Sequence, residues 1–266
     1  MKNLTPLLTA LLLLSLLASC GKNTSPADDT TSTDTTVSDT TVSDENGTVS
    51  AYTVSEEAYT SDDNGQTRIF NYPVFNGTDK DDILNTLVFD DTKALMDNYL
   101  TYVFVSENGS SYDISPAKSI CTGSDLASFF YVGQFYTPDA AHPVYITYSV
   151  NVDVKNGKLL TFTDIVKDFS ALSELLRQGV FTLVSTGNDT LDRELNDLEP
   201  NDLLGAYSDL YGIYPNVYFT DESGESSLVL SFETIYALGG HAEFEAPLDA
   251  VSHTLTDNIL NLLKGE

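Results

Sequence analysis

The 266 residues carry 40 acidic side chains against 12 lysines and arginines, a formal charge of −28 at pH 7, with two cysteines and no tryptophan. A charge of that sign repels nucleic acid, anionic lipid heads and teichoic-type polymers, so nucleic-acid binding is excluded and cationic proteins, peptides or metal ions are favoured. Acidic surfaces also serve simply to keep exported proteins soluble.

The N-terminus opens on Lys2, continues through an apolar stretch from Leu7 to Leu17 and ends in Leu17-Ala18-Ser19-Cys20. This is the pattern of a bacterial lipoprotein signal, residues 1–20. The apolar stretch is too short to cross a hydrocarbon core of about 30 Å as a helix, so it reads as a secretion address removed on maturation. Cys20 would become the lipidated first residue. A diacylglycerol on its thiol puts at least two acyl chains in the bilayer, where one alone would bind marginally. The expected localisation is extracytoplasmic, lipid-anchored to the cell membrane. Once Cys20 is acylated only Cys121 remains, which excludes an internal disulfide; between Ile120 and Thr122 it reads as a small buried apolar side chain. Past residue 20 no apolar run is long enough for a spanning helix.

Residues 21–50 are almost entirely Thr, Ser, Asp, Asn and Gly and contain a tandem repeat, Asp34 to Ser38 and Asp39 to Ser43. Such a segment buries too little apolar area to order itself. Counted to Gly65, random-coil scaling separates its ends by roughly 35–40 Å, the behaviour of a stalk. Lys2 and Lys22 are the only bases before position 66 and ten acids lie in 21–65, so residues 66–266 hold 30 acids and 10 bases, a charge near −20.

From Ala51 short runs rich in Tyr, Phe, Val and Ile are punctuated by Asn64-Gly65, Asn108-Gly109, Asn156-Gly157 and Ser223-Gly224, which are hairpin signals. The predicted strands are 51–60, 66–75, 100–106, 127–136, 143–154, 158–162, 214–220 and 226–237. In the fifth, Val144, Ile146, Tyr148, Val150, Val152 and Val154 alternate with polar residues, which predicts one buried face. Helical spacing links Ile83, Leu84, Leu87, Val88, Leu95 and Tyr99; Leu172, Leu175, Leu176 and Val180; and Val251, Leu255, Ile259, Leu262 and Leu263. Asp79 to Asp82 would lie at the positive end of the first helix, Ser170 and Glu174 could start the second, and a weaker signal covers 190–200. Helices inserted between hairpins indicate an α+β fold: antiparallel sheets with three to four helices packed on them. Two subdomains, 51–142 and 143–266, are expected to pack as one unit.

Enzyme signatures are largely missing: no GxSxG elbow, HExxH, Walker loop, GxGxxG or Cys pair occurs. Ser115-Pro-Ala-Lys118 matches SxxK, but that chemistry needs the serine at the start of a buried helix, and this segment reads as strand or loop without a companion KTG. With 30 acids in the body, carboxylate pairing has no specificity. A calcium loop before Gly65 fails because Thr60 stands at its first position. His142, His241 and His253 lack metal-ligand spacing. The expectation is a protein that is not an enzyme and takes no cofactor or metal. Aromatic residues on strands pack by default in a core. The exception is the loop from Phe135 to Pro143, where Tyr136, Asp139 and His142 are candidate ligand-binding residues, because loops held by rigid strands often carry recognition.

At this loop the chain resembles a known family. Ala141-His142-Pro143, Val150-Asn151-Val152-Asp153 and the run Asn156 to Ile165 are similar to the extracellular domain shared by the lysozyme-sensing anti-sigma factor RsiV and found beside peptidoglycan deacetylases. Tyr72 to Phe75 with Asp82 to Asn85 resemble its opening strand and first helix; Val217 to Phe219, Ser227 to Phe232, Leu238 to Gly240 and Phe244 to Pro247 resemble its closing strands. Ala140 and Ala141 stand where the family often has glycine. The resemblance, over roughly residues 51–255, implies a stand-alone binding module, without the receptor's signalling segments or a deacetylase, and makes a lysozyme-like cationic wall hydrolase a candidate ligand. Three readings stay open: a lipoprotein binding a basic protein as sensor, decoy or inhibitor; a peptidoglycan or small-ligand binding lipoprotein; and an unrecognised cell-wall hydrolase.

Overall fold

Two antiparallel hairpins set the frame of the computed structural model, which describes residues 52–63, 66–102, 110–114, 119–122, 125–136, 141–186, 200–209, 212–222, 225–234 and 239–265. All belong to one compact unit, Ser38–Glu266; the other unit, Met1–Val37, lies outside the described residues, as do Cys20 and the 21–50 segment. Among the described residues no helix is long and apolar enough to cross a membrane.

The first hairpin joins β1 (Thr53–Asp63) to β2 (Gln66–Asn76), with Asp63 opposite Gln66 as the Asn64-Gly65 signal requires. After α1 (Asp81–Tyr102) come β3 (Ser110–Ile114), β4 (Ser119–Thr122), β5 (Leu126–Tyr136), β6 (Val144–Asp153) and β7 (Lys158–Leu159). These strands form a seven-stranded sheet in the order β1-β2-β3-β5-β6-β7, with β4 also on β5; the β2–β3 pair is parallel and the rest antiparallel. The boundary expected at 142/143 falls inside the β5–β6 hairpin, where Leu126 pairs with Asp153 and Phe135 with Val144, so the two halves share this sheet. Short helices α2 (Phe162–Ile165), α3 (Phe169–Arg177) and α4 (Pro200–Leu204) flank β8 (Thr182–Thr186). A four-stranded antiparallel sheet, β8-β11-β10-β9, is completed by β9 (Asn216–Glu222), β10 (Glu225–Glu233) and β11 (His241–Pro247). Then follow α5 (Leu248–Val251), a 3-10 turn (Ser252–Thr254) and α6 (Asp257–Lys264). The architecture is the expected α+β, with strands β3, β4 and β8 and the short helices α2 and α5 added, and with β11 matched only by the resemblance over Phe244 to Pro247.

Local chemistry explains where elements start. Asp81 accepts hydrogen bonds from the Gly77 and Thr78 amides at the head of α1. Thr161 and Asp164 cap each other's backbone around α2, and Asp168, not Ser170, is the N-cap of α3. The strand predicted at 100–106 is overturned at its start: α1 runs to Tyr102, and 103–109 lie outside the described residues. The single C-terminal helix predicted from Val251 to Leu263 is broken, because Leu255 turns extended at φ −91° and ψ 156° to bridge Val166, and Thr256 restarts the chain as the N-cap of α6.

Two cores result. Leu84 and Val88 of α1 cover Phe70, Phe75, Phe129 and Val150 on one face of the large sheet. Ile83 and Leu87, predicted on that buried face, are 52% and 36% exposed. Leu172 and Leu176 of α3 with Ile259 and Leu262 of α6 cover Phe219, Leu230, Phe232 and Phe244 on the small sheet. The second face of β6, predicted polar and outward, is buried as well at Thr147, Asn151 and Asp153. The cause is β9, whose free edge lies across it. The Phe219 amide donates to Ser128 Oγ at 2.9 Å, Asn151 Nδ2 donates to the Val217 carbonyl at 2.8 Å, and Asn216 Nδ2 donates to the Thr147 carbonyl at 3.2 Å. Polar side chains of one sheet thus satisfy the backbone edge of the other.

Candidate functional site

The turn end of the β5–β6 hairpin meets the β10–β11 connection, and a cleft of about 200 Å³ opens between them. One wall is His142, Pro143, Val144 and Tyr145; the other is Glu233, Thr234 and Gly240. The long strand pairing below holds the first wall rigid, and the Thr234 amide, donating to the Gly240 carbonyl at 2.9 Å, closes the second. Gly240 sits at φ +84°, and a Cβ there would lie 2.4 Å from Cδ2 of Tyr145. Only glycine lets the start of β11 approach that ring.

His142 is exposed, its Nδ1 3.2 Å from the Pro143 carbonyl oxygen, which it faces as a donor in the Nδ1–H form. Val144 is half exposed and continues the apolar wall. The Glu233 amide donates to the Tyr207 hydroxyl at 3.0 Å. Burial pushes the Tyr207 phenol up from its ordinary range, and the Glu233 charge adds to this. Of the sequence candidates, His142 lines the cleft. Tyr136 is 45% exposed at the end of β5, opposite Ser111, and is not among the described lining residues. Asp139 lies outside the described residues, as do Ser115 to Lys118. Glu233 and Gly240 come from a hundred residues downstream, a juxtaposition that no local signal announces.

Behind the cleft a polar group is buried within the small sheet. His241 Nε2 lies 2.9 Å from Glu243 Oε1, and Glu243 Oε2 accepts the Tyr218 hydroxyl at 2.5 Å. Phe130 of β5 stacks on Tyr218 with centroids 4.6 Å apart and planes 8° from parallel. His241 and Glu243 are each 2% exposed. Alternation over His241-Ala242-Glu243-Phe244 reads as a solvent face and an inner face, yet Phe130 covers the polar side. Ser231, the cross-strand neighbour of Glu243, is buried too, and neither its Oγ nor His241 Nδ1 has a hydrogen-bond partner. Serine, histidine and glutamate are the residue types of a charge relay, but the serine–imidazole hydrogen bond that activates a nucleophile is not made. No group of three or more His, Cys, Asp or Glu suited to a metal ion occurs among the described residues.

No family model matches this chain, and no curated protein does. Among solved structures it is similar to a DUF3298 family member from Bacteroides fragilis, at 17% identity and a TM-score of 0.49, over 82% of this chain and 100% of that one. It is also similar to a DUF3298 family protein from Pseudomonas aeruginosa PAO1, at 16% identity and a TM-score of 0.42, over 76% of this chain and 94% of the other.

A second cleft, of about 330 Å³, lies between the end of β6, the Thr161 turn and the chain entering β9. Phe162 stacks on Tyr214 there, centroids 4.4 Å apart and planes 6° from parallel, with Asp91, Thr161 and Asn216 at the edges. Burial raises the Asp91 carboxyl above the ordinary carboxylate range.

Proposed function

We propose that this chain is a binding module, held at the outer surface of a bacterial membrane by an acylated Cys20, whose cleft beside His142 receives a basic side chain of a partner protein. The observation that carries the reading is the make-up of that cleft. Pro143, Val144 and Tyr145 offer an apolar wall, and Glu233 and His142 stand at its polar margin, in a space of about 200 Å³. A lysine or arginine lays its methylene stem along such a wall and places its charge over the phenol ring or beside the carboxylate. The charge near −20 on residues 66–266 would steer a basic protein toward it, raising association rates by about 10- to 1,000-fold at low salt.

A lysozyme-like protein is the partner class that the sequence resemblance suggests. The test is titration of the full-length chain, in detergent, with lysozyme at two salt concentrations. Binding should weaken as salt rises and fall at least tenfold on Tyr145→Ala and on Glu233→Gln. No binding at about 20 mM salt would reject the reading. The second cleft supports the alternative of a peptidoglycan or small-ligand site, since a stacked aromatic pair beside polar side chains suits a sugar ring. Retention on purified peptidoglycan that is lost on Tyr214→Ala would favour it.

A further inference from the structure

The two sheets treat their edges differently. The β9 edge is sealed by Ser128 and Asn151, as described above. The β7 edge is two residues long, and β8 has five residues with a break in register against β11. Of the other two edges among the described residues, β4 is four residues long, whereas β1 is of another kind. It runs eleven residues in unbroken register with β2, and among the described residues it pairs with β2 alone. At about 3.4 Å per residue it presents an edge of roughly 37 Å. Its sequence, Thr53 to Asp63, contains no proline, glycine, lysine or arginine, and Thr53, Ser55, Glu57 and Ala58 are exposed. Short length, bulges, prolines and lysines, which commonly block such an edge, are absent from β1, and every charge it carries is acidic.

From this we infer that β1 is a docking edge for an extended basic peptide segment of a partner, which adds to the large sheet as an eighth strand. The charge selects the occupant. β1 carries Glu56, Glu57, Asp62 and Asp63 and no base, and residues 66–266 add a charge near −20, so a second copy pairing along the same edge would bring two strongly anionic bodies together. A strand with lysine or arginine at alternate positions lines its charges along one face of the sheet, the one that carries Glu57, while its backbone supplies the ladder. The inference shares the basic partner of the cleft reading but uses a different surface and a different interaction, main-chain hydrogen bonding.

The probe is a peptide of about nine residues alternating lysine with valine and threonine, titrated into the full-length chain and followed by backbone amide exchange. Exchange should slow along Thr53 to Ser61. N-methylation of alternate peptide amides, which removes donors along one edge and leaves the charge, should weaken binding at least tenfold. Glu57→Lys should weaken it several-fold; its carboxylate accepts from the hydroxyl of a half-buried Tyr72 at 3.1 Å, and unchanged circular dichroism would confirm folding. Equal affinity for the N-methylated peptide, protection confined to 142–145 and 233–240, or β1-dependent dimers in sedimentation would each overturn the proposal. The two readings fail separately, because lysozyme titration of cleft variants reports on the cleft and peptide N-methylation reports on the edge.

Discussion

Gly240→Ala measures how tightly the cleft's two walls are joined. The new Cβ would lie 2.4 Å from Cδ2, 2.5 Å from Cγ and 2.6 Å from Cβ of Tyr145. Carbon atoms rest at about 3.5–4.0 Å, so the two walls must part by roughly 1 Å. Rotating the ring cannot supply this, since Tyr145 Cβ is among the atoms struck. Overpacking of this kind costs about 1–3 kcal/mol, and an L side chain at φ +84° adds about 1–2 kcal/mol. The sum, about 2–5 kcal/mol, corresponds to a fall in Tm of roughly 5–15 °C for a domain of this size. Urea unfolding followed by far-ultraviolet circular dichroism suits a chain without tryptophan, and the slope m should stay unchanged. Tyr145→Gly made on top of Gly240→Ala, which removes the struck Cβ together with the ring, should return the packing component, giving a coupling of about 1–3 kcal/mol, and leave the backbone cost. A single variant within about 0.5 kcal/mol of the parent, or a double variant with no coupling, would refute the close approach and with it the cleft's rigid geometry.

Asn151→Ala should destabilise by about 2–4 kcal/mol in the same assay, because it strips the buried Val217 carbonyl of its donor and the Ser128 hydroxyl of its acceptor. Thr256→Ala removes the N-cap of α6 and a 2.7 Å bond to the Asp164 carbonyl, costing about 1–2 kcal/mol by denaturant midpoint. Partial burial would raise the Asp164 carboxyl, but hydrogen bonds from Lys158 and Thr161 outweigh it and hold the group below the usual carboxylate range. With the folded value depressed, its stabilisation is complete above the ordinary unfolded value of about 4 and is lost as pH falls through the folded one. Asp164→Asn should therefore flatten the stability curve below about pH 4 and lower stability at pH 7; an unchanged acid limb would contradict this.

Much of this architecture was legible in residue order. Long alternation marks β6 to within a residue at each end, since a strand with a buried face must repeat with period two, and a run rich in Phe and Tyr marks β5. Asn64-Gly65 and Ser223-Gly224 mark reversals that set Asp63 opposite Gln66 and Glu222 opposite Glu225. Spacing of three and four residues found α1 and α3, because these rows follow from helix geometry whatever the surroundings. The same rows could not say that Ile83 and Leu87 face water, nor that Leu255 leaves the helix to bridge Val166. Those outcomes depend on what lies across from each residue. The covering of His241 and Glu243 by Phe130, the sealing of the β9 edge by Ser128 and Asn151, and the meeting of His142 with Glu233 and Gly240 join segments about 65 to 110 residues apart. Periodicity is a property of neighbours along the chain, whereas a cleft is made where distant segments exclude water from the same volume, and only the folded arrangement decides which segments those are.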